Sequence, residues 1–112
     1  MFYIDYKQFI DLIQLLLARY DELTQEKFKN AFILDVRTQE EFSESHYEVA
    51  VNIELDAHRG RSTEIPKDRP VIVICRVGMR AYLACRILMG NGYKNVYDLS
   101  GGMLTLKAAG LV

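Results

Sequence analysis

The run Val71-Ile72-Val73-Ile74-Cys75-Arg76-Val77-Gly78-Met79-Arg80, continued by Ala81-Tyr82-Leu83-Ala84-Cys85-Arg86-Ile87-Leu88, decides the fold. The four β-branched apolar residues 71–74 predict a strand buried on both faces. Tyr82, Leu83, Ile87 and Leu88 then recur at helical spacing, so a helix starts near Arg80. The loop between them begins with a cysteine, carries a glycine and closes with an arginine. Gly78 lets the backbone curl so that successive N–H groups converge as an anion-binding nest. The positive end of the helix points at the same place. Cys75 would sit at the centre of that cup, with Arg76 and Arg80 beside it. All three influences favour the thiolate, which is the nucleophilic form of cysteine.

Working outward towards the N-terminus, Val49 to Ile53 predicts a strand. Before it, Thr38 and Glu41 form a capping box that opens a short helix running to about Ser45. Ala31-Phe32-Ile33-Leu34-Asp35-Val36 predicts a central strand. Asp21 to Asn30 is polar, with Leu23 and Phe28 as its apolar anchors. Asp5 and Gln8 read as a second capping box, and Phe9, Ile10, Leu12, Ile13, Leu16, Leu17 and Tyr20 give an apolar helical face. Phe2-Tyr3-Ile4 reads as a short edge strand, and Asp56 as the cap of another short helix. Towards the C-terminus, Gly90 and Asn91-Gly92 stop the helix that starts near Arg80. Asn95 to Tyr97 predicts the last strand, and Ser100-Gly101-Gly102 opens a final helix through Ala109. Strands alternating with helices predict an α/β fold, with a mainly parallel central sheet and helices on both faces. Reactive groups then belong at the carboxyl ends of the strands, where Cys75 falls.

The 112 residues fit a single domain, 1–112, and half of them are apolar, enough for a real core. The net charge of −1, with both signs interspersed, argues against nucleic acid or an anionic membrane as partner. Asp5, Lys7 and Asp11 interrupt any signal-peptide run, and no stretch has the length of a membrane span. Cys75 and Cys85 make no C-x-x-C pair and have no histidine nearby in sequence, so no metal site is expected. Thiols without a disulfide suggest a reducing compartment, and the expected location is the cytoplasm.

At these residues the chain resembles the rhodanese-like sulfurtransferase family. The likeness is carried by Cys75-x-x-Gly78-x-Arg80, with Asp35-Val36-Arg37, Glu40-Glu41-Phe42 with His46, Asn52-Ile53 and Gly101-Gly102-Met103 in the family's order and spacing. The run from Ile65 to Met103 looks most like the rhodanese domain fused behind flavin-dependent coenzyme A-disulfide reductases. Ser45 and Val49 stand where the family commonly has glycines, and Leu106 where it often has tryptophan. The resemblance implies a sulfurtransferase that carries sulfur on Cys75 as a persulfide. Arg76, Val77, Gly78, Met79 and Arg80 would form the active, substrate-binding loop, and no metal or organic cofactor is required. The implied partners are a small-molecule sulfur donor and a thiol acceptor. Related phosphatases and arsenate reductases use a C-x-x-x-x-x-R loop. Here four residues separate Cys75 from Arg80, so a tetrahedral phosphoryl group should fit poorly.

Each residue also has a plainer reading. Cys75 could be core filling, although the glycine and arginine that follow favour reactivity. Cys85, on a helix among apolar neighbours, reads as core. Arg80 is either a surface charge or a functional group, and its unfavourable place at a helix start favours function. Arg76 either attracts anionic donors from the rim or does nothing. Asp35 and Arg37 share one side of their strand. Asp35 is either a general base or, the preferred reading, a structural partner that holds the arginine or the loop. His46 reads as turn-stabilising, His58 as surface. The alternative for the whole chain is an accessory or regulatory binding module that works with a separate disulfide reductase as redox partner.

Overall fold

The computed structural model describes residues 16–54, 61–76 and 79–112, with Ser62 and Met79 described in their backbone only. The expected strand at 2–4, the helix opened by Asp5, the cap at Asp56, His58, and the loop residues Val77 and Gly78 lie outside the described residues.

The described strands are β1 (Leu17–Ala18), β2 (Phe32–Asp35), β3 (Val51–Asn52), β4 (Val71–Ile74) and β5 (Val96–Leu99). They form one sheet in the order β1-β5-β4-β2-β3, and every pairing is parallel. The α-helices are α1 (Gln39–Glu44), α2 (Met79–Gly90) and α3 (Gly102–Ala108). This is the expected α/β architecture, with β4 central and buried at all four positions.

Period-two alternation sorts the core into two layers. Leu34, Val71, Val73 and Val96 face one side, where they pack with Ala81, Ala84, Cys85 and Leu88 of α2. Ile33, Ile72, Ile74 and Leu99 face the other, against Met103 and Leu106 of α3, with Phe28 and Ala18. A strand whose neighbours on both faces are helices has no polar face, which explains the unbroken apolar run 71–74. Leu23 and Phe28 are buried as the anchors of the 21–30 segment, which carries a 3₁₀ turn at Glu26–Phe28.

One element corrects the sequence reading. Leu16, Leu17 and Tyr20 read as the end of an amphipathic helix, yet Leu17–Ala18 is a strand and Tyr20–Glu22 a 3₁₀ turn. The reason is backbone hydrogen bonding. The outer edge of β5 needs partners, and the Asp98 and Ser100 amides donate to the Leu16 and Ala18 carbonyls at 3.0 and 2.8 Å. Ala18 is fully buried beside its partner Leu99, whereas Leu17 stays 60% exposed on the sheet edge. The outer strand β3 is also shorter than expected, since it keeps only Val51–Asn52 of the 49–53 run.

Asp98 is a buried acid within this apolar wall. It shares the α2 side of β5 with Val96, is only 7% exposed, and its Oδ1 has no hydrogen-bond partner. Burial pushes its carboxyl up to about 6. The folded protein therefore holds this proton more tightly than the unfolded chain, and stability falls as pH rises through about 6. Asp98→Asn should remove that slope. Urea unfolding should show the variant gaining on the wild type between about pH 4 and about pH 7, by up to ~3 kcal/mol. Parallel pH profiles would contradict the assignment.

Candidate active site

Cys75 follows β4 directly, at the carboxyl edge of the sheet, and is 1% exposed. The start of α3 holds it there. The Met103 amide donates to the Cys75 carbonyl at 2.8 Å, and the Leu104 amide to the Arg76 carbonyl at 3.2 Å. These are first-turn amides of α3, which have no partners within their own helix. The approach needs glycine at 102. Its φ is +53°, and a Cβ there would collide with the Cys75 carbonyl oxygen and lie 2.9 Å from that of Arg76. Gly101-Gly102 thus serves close packing of α3 against the loop that follows β4.

Asp35 ends β2 on the same edge. It is fully buried and paired with Arg37, whose Nε donates to Oδ1 and Oδ2 at 3.0 and 3.1 Å and whose Nη2 donates to Oδ2 at 2.8 Å. The Arg37 amide adds a bond to Oδ1 at 3.0 Å. Both carboxylate oxygens of Asp35 are thus engaged by Arg37. Arg37 reaches on to the Ser45 carbonyl at 2.8 Å and the Glu41 carbonyl at 3.4 Å, which fixes the end of α1. Asn52 stitches β3 to this corner, donating from Nδ2 to the carbonyls of Asp35 and Arg37.

Arg80, in the first turn of α2, is clamped by Glu41 rather than by Asp35. Its Nη1 donates to Oε1 at 2.7 Å and its Nη2 to Oε2 at 3.0 Å. Glu41 is also the N3 residue of the Thr38 capping box, accepting from the Thr38 amide at 3.0 Å. The Arg80 hydrogen bonds bring the Glu41 carboxyl down to about 2 despite partial burial. In return Glu41 raises the Arg80 guanidinium above its ordinary value, against the effect of burial, and the Cys75 and Asp35 charges add to this. Arg76 is exposed at the rim. His46 donates from Nδ1–H to the Phe42 carbonyl at 2.9 Å and stacks on the Phe42 ring, the expected turn role.

Cys85 is fully buried on α2. Burial, reinforced by the Asp98 and Cys75 charges, pushes its thiol far above the ordinary range, and the side chain packs in the core. Neither cysteine is in a disulfide. No helix among the described residues is long and apolar enough to cross a membrane. Glu41 as partner of Arg80 was hidden in the sequence, where only its local capping role showed. Gly102 carried a signal, its place in Gly101-Gly102, but not its target.

A cysteine thus stands at the end of the central strand of a parallel α/β sheet, braced by a glycine-started helix. The family model described as Rhodanese-like domain matches residues 18–109, and the chain belongs to the rhodanese-like family. A protein of Allochromatium vinosum named sulfurtransferase is 36% identical over 83 residues, covering 74% of this chain and 78% of its own. The thiosulfate sulfurtransferase GlpE of Coxiella burnetii is 33% identical over 82 residues, covering 73% and 77%. Among solved structures, reduced Bacillus anthracis CoADR-RHD superposes with a TM-score of 0.77 at 28% identity, over 91% of this chain and 18% of that one. That neighbour accords with the likeness of Ile65 to Met103 to the rhodanese domain of coenzyme A-disulfide reductases.

Two substitutions test this geometry. Gly102→Ala should lower the melting temperature and unseat the loop, whereas Gly90→Ala, whose Cβ meets nothing within 4 Å, should be neutral or mildly stabilising. Equal melting temperatures would contradict the close approach. Glu41→Gln should cost about 1 kcal/mol at neutral pH, a modest figure because both side chains of the pair keep about a third of their surface in water. The Glu41 carboxyl is depressed, so this deficit should be full above about pH 4.5 and shrink as pH falls towards about 2. A deficit independent of pH would assign it to packing.

Proposed function

We propose that this chain, a rhodanese-type sulfurtransferase by family, moves sulfane sulfur through a persulfide on Cys75. The Cys75 thiolate attacks the outer sulfur of a donor such as thiosulfate. The donor's S–S bond breaks and sulfite leaves with the electron pair, so Cys75 carries the sulfur as a persulfide anion. An acceptor thiolate then attacks that outer sulfur, the Cys75–sulfur bond breaks, and the thiolate is restored. The reaction neither consumes nor requires a metal or organic cofactor. The backbone amides of 76 to 80 are assigned the task of stabilising the persulfide charge, by the logic of an oxyanion hole. The observation that carries this reading is Cys75 at the carboxyl end of β4, with its carbonyl held by the Met103 amide at 2.8 Å.

Arg80 acts by tying the loop to α1, because both of its terminal nitrogens are engaged by Glu41. Asp35 and Arg37 set the frame from beneath. The soluble acceptor is a thiol. The resemblance to CoADR-RHD, of which this chain spans under a fifth, favours a redox partner protein as a second reading.

Intact-mass measurement after incubation with thiosulfate should show one added sulfur, kept in Cys85→Ser and lost in Cys75→Ser. An adduct that survives Cys75→Ser would refute the assignment, and no adduct on the wild type with any sulfur donor would favour the accessory-module reading.

A further inference from the structure

One buried acid takes no part in the ion pairs of the carboxyl edge. Asp98 of β5 is only 7% exposed, its Oδ1 has no hydrogen-bond partner, and no described cation forms an ion pair with it. An unpaired buried carboxyl is a cost to the fold, and such groups cluster where chemistry uses them.

The sheet places this acid beneath the reactive cysteine. Asp98 stands in register with Val73 of β4. Two residues beyond Val73 comes Cys75, so alternation turns Val73, Cys75 and Asp98 to the same side of the sheet. That is the side covered by α2, where Cys85 packs in one layer with Val73 and Cys75. Cys85 lies within reach of both, because negative charge on either Asp98 or Cys75 opposes ionisation of its thiol. At ordinary strand spacing and rise, backbone positions related as Asp98 and Cys75 are lie about 8 Å apart. The titratable groups that face Asp98 are therefore Cys85 from α2 and Cys75 from the end of β4. From β1 it meets its register partner Leu17, which carries no charge. Arg86 follows Cys85 on α2 and makes no ion pair with Asp98. Tyr93, in the same layer, donates its hydroxyl to the Ile65 carbonyl at 2.6 Å.

Sulfur transfer moves charge relative to this acid. When the Cys75 thiolate attacks thiosulfate, the negative charge leaves Sγ and, once sulfite departs with the electron pair of the S–S bond, rests on the terminal sulfur of the persulfide. That sulfur is one S–S bond, about 2 Å, further out. The sheet and α2 close off the inner side, so the donor approaches from the carboxyl edge and the new sulfur projects that way, away from Asp98. A carboxylate at 98 therefore opposes the inner charge more than the outer one.

We infer that Asp98 is a positioning residue for sulfur transfer, whose negative charge pushes the anion of Cys75 outwards and so favours the sulfur-carrying state over the free thiolate. This role, which rests on the persulfide reading of Cys75, gives the unpaired carboxyl a function that a neutral side chain of similar size could not perform. Burial raises the Asp98 carboxyl to about 6, so the bias is absent in mild acid and present at neutral and higher pH.

Equilibrium loading reads this bias. Wild type, Asp98→Asn and Asp98→Leu are each held in the same mixture of thiosulfate and sulfite from about pH 5 to about pH 8, on either side of the Asp98 titration. Intact mass then gives the ratio of sulfur-loaded to free protein. Dividing the wild-type ratio by that of a variant cancels the titration of donor and sulfite. The quotient should lie close to unity at the acid end and rise through about pH 6 to about two- to threefold at the alkaline end, for both variants alike. A quotient that stays at unity, or falls below it at the alkaline end, overturns the proposal. So does one displaced equally at every pH, because a purely structural role has no titration. A flat quotient with normal loading of the wild type refutes only the role of Asp98. A wild type that takes no sulfur from thiosulfate or any persulfide donor refutes the persulfide reading, and the role of Asp98 with it. If one variant fails to fold, the other supplies the same quotient.

Discussion

The bond from the Met103 amide to the Cys75 carbonyl joins the last helix to the end of the central strand. Much of the sheet's carboxyl edge depends on it. The bond requires α3 to begin within hydrogen-bonding distance of the loop, and only a residue without a Cβ at 102 permits that. It requires β5 beside β4, because the turn from Leu99 to Gly102 is too short to reach from elsewhere in the sheet. It also uses amides that α3 could not satisfy within itself. A helix terminus and a strand terminus, each with backbone groups left over, thus satisfy one another and present the cysteine.

Charge around that edge is divided between structure and chemistry. The Asp35–Arg37 pair is almost wholly buried, and its geometry makes up for the desolvation of two ions by using several hydrogen bonds at once. The Glu41–Arg80 pair, more exposed, joins the start of α1 to the start of α2. Both pairs link elements across the carboxyl edge, so removing either arginine would disturb shape before it disturbed substrate attraction. Cations still free to meet a ligand lie further out, at Arg76 and Lys107. The same edge therefore combines a rigid electrostatic frame with a polar rim facing water.

Elements whose signals are local are legible in the residues alone. The unbroken run 71–74 implied a strand covered on both faces, and the helices over both sides of the sheet are the reason. The capping box at Thr38 and Glu41 located α1, because its bonds lie within four residues. Cys75 at a strand end, and Cys85 within a helix, could be told apart by pattern alone. Features that depend on a distant partner emerge only in the packed fold. Leu17 and Ala18 carry a helical apolar pattern, yet the open edge of β5 draws them into a strand, since unpaired backbone groups there would cost more than a broken periodicity. The partner of Arg80 stands thirty-nine residues away in Glu41, and no spacing rule could choose it over Asp35. Gly102 revealed a need for glycine but not the carbonyls it admits, and Asp98 gave no sign that it would be buried without a partner for its Oδ1. In each case the deciding contact is between groups far apart in the chain, and only the packed sheet brings them within bonding distance.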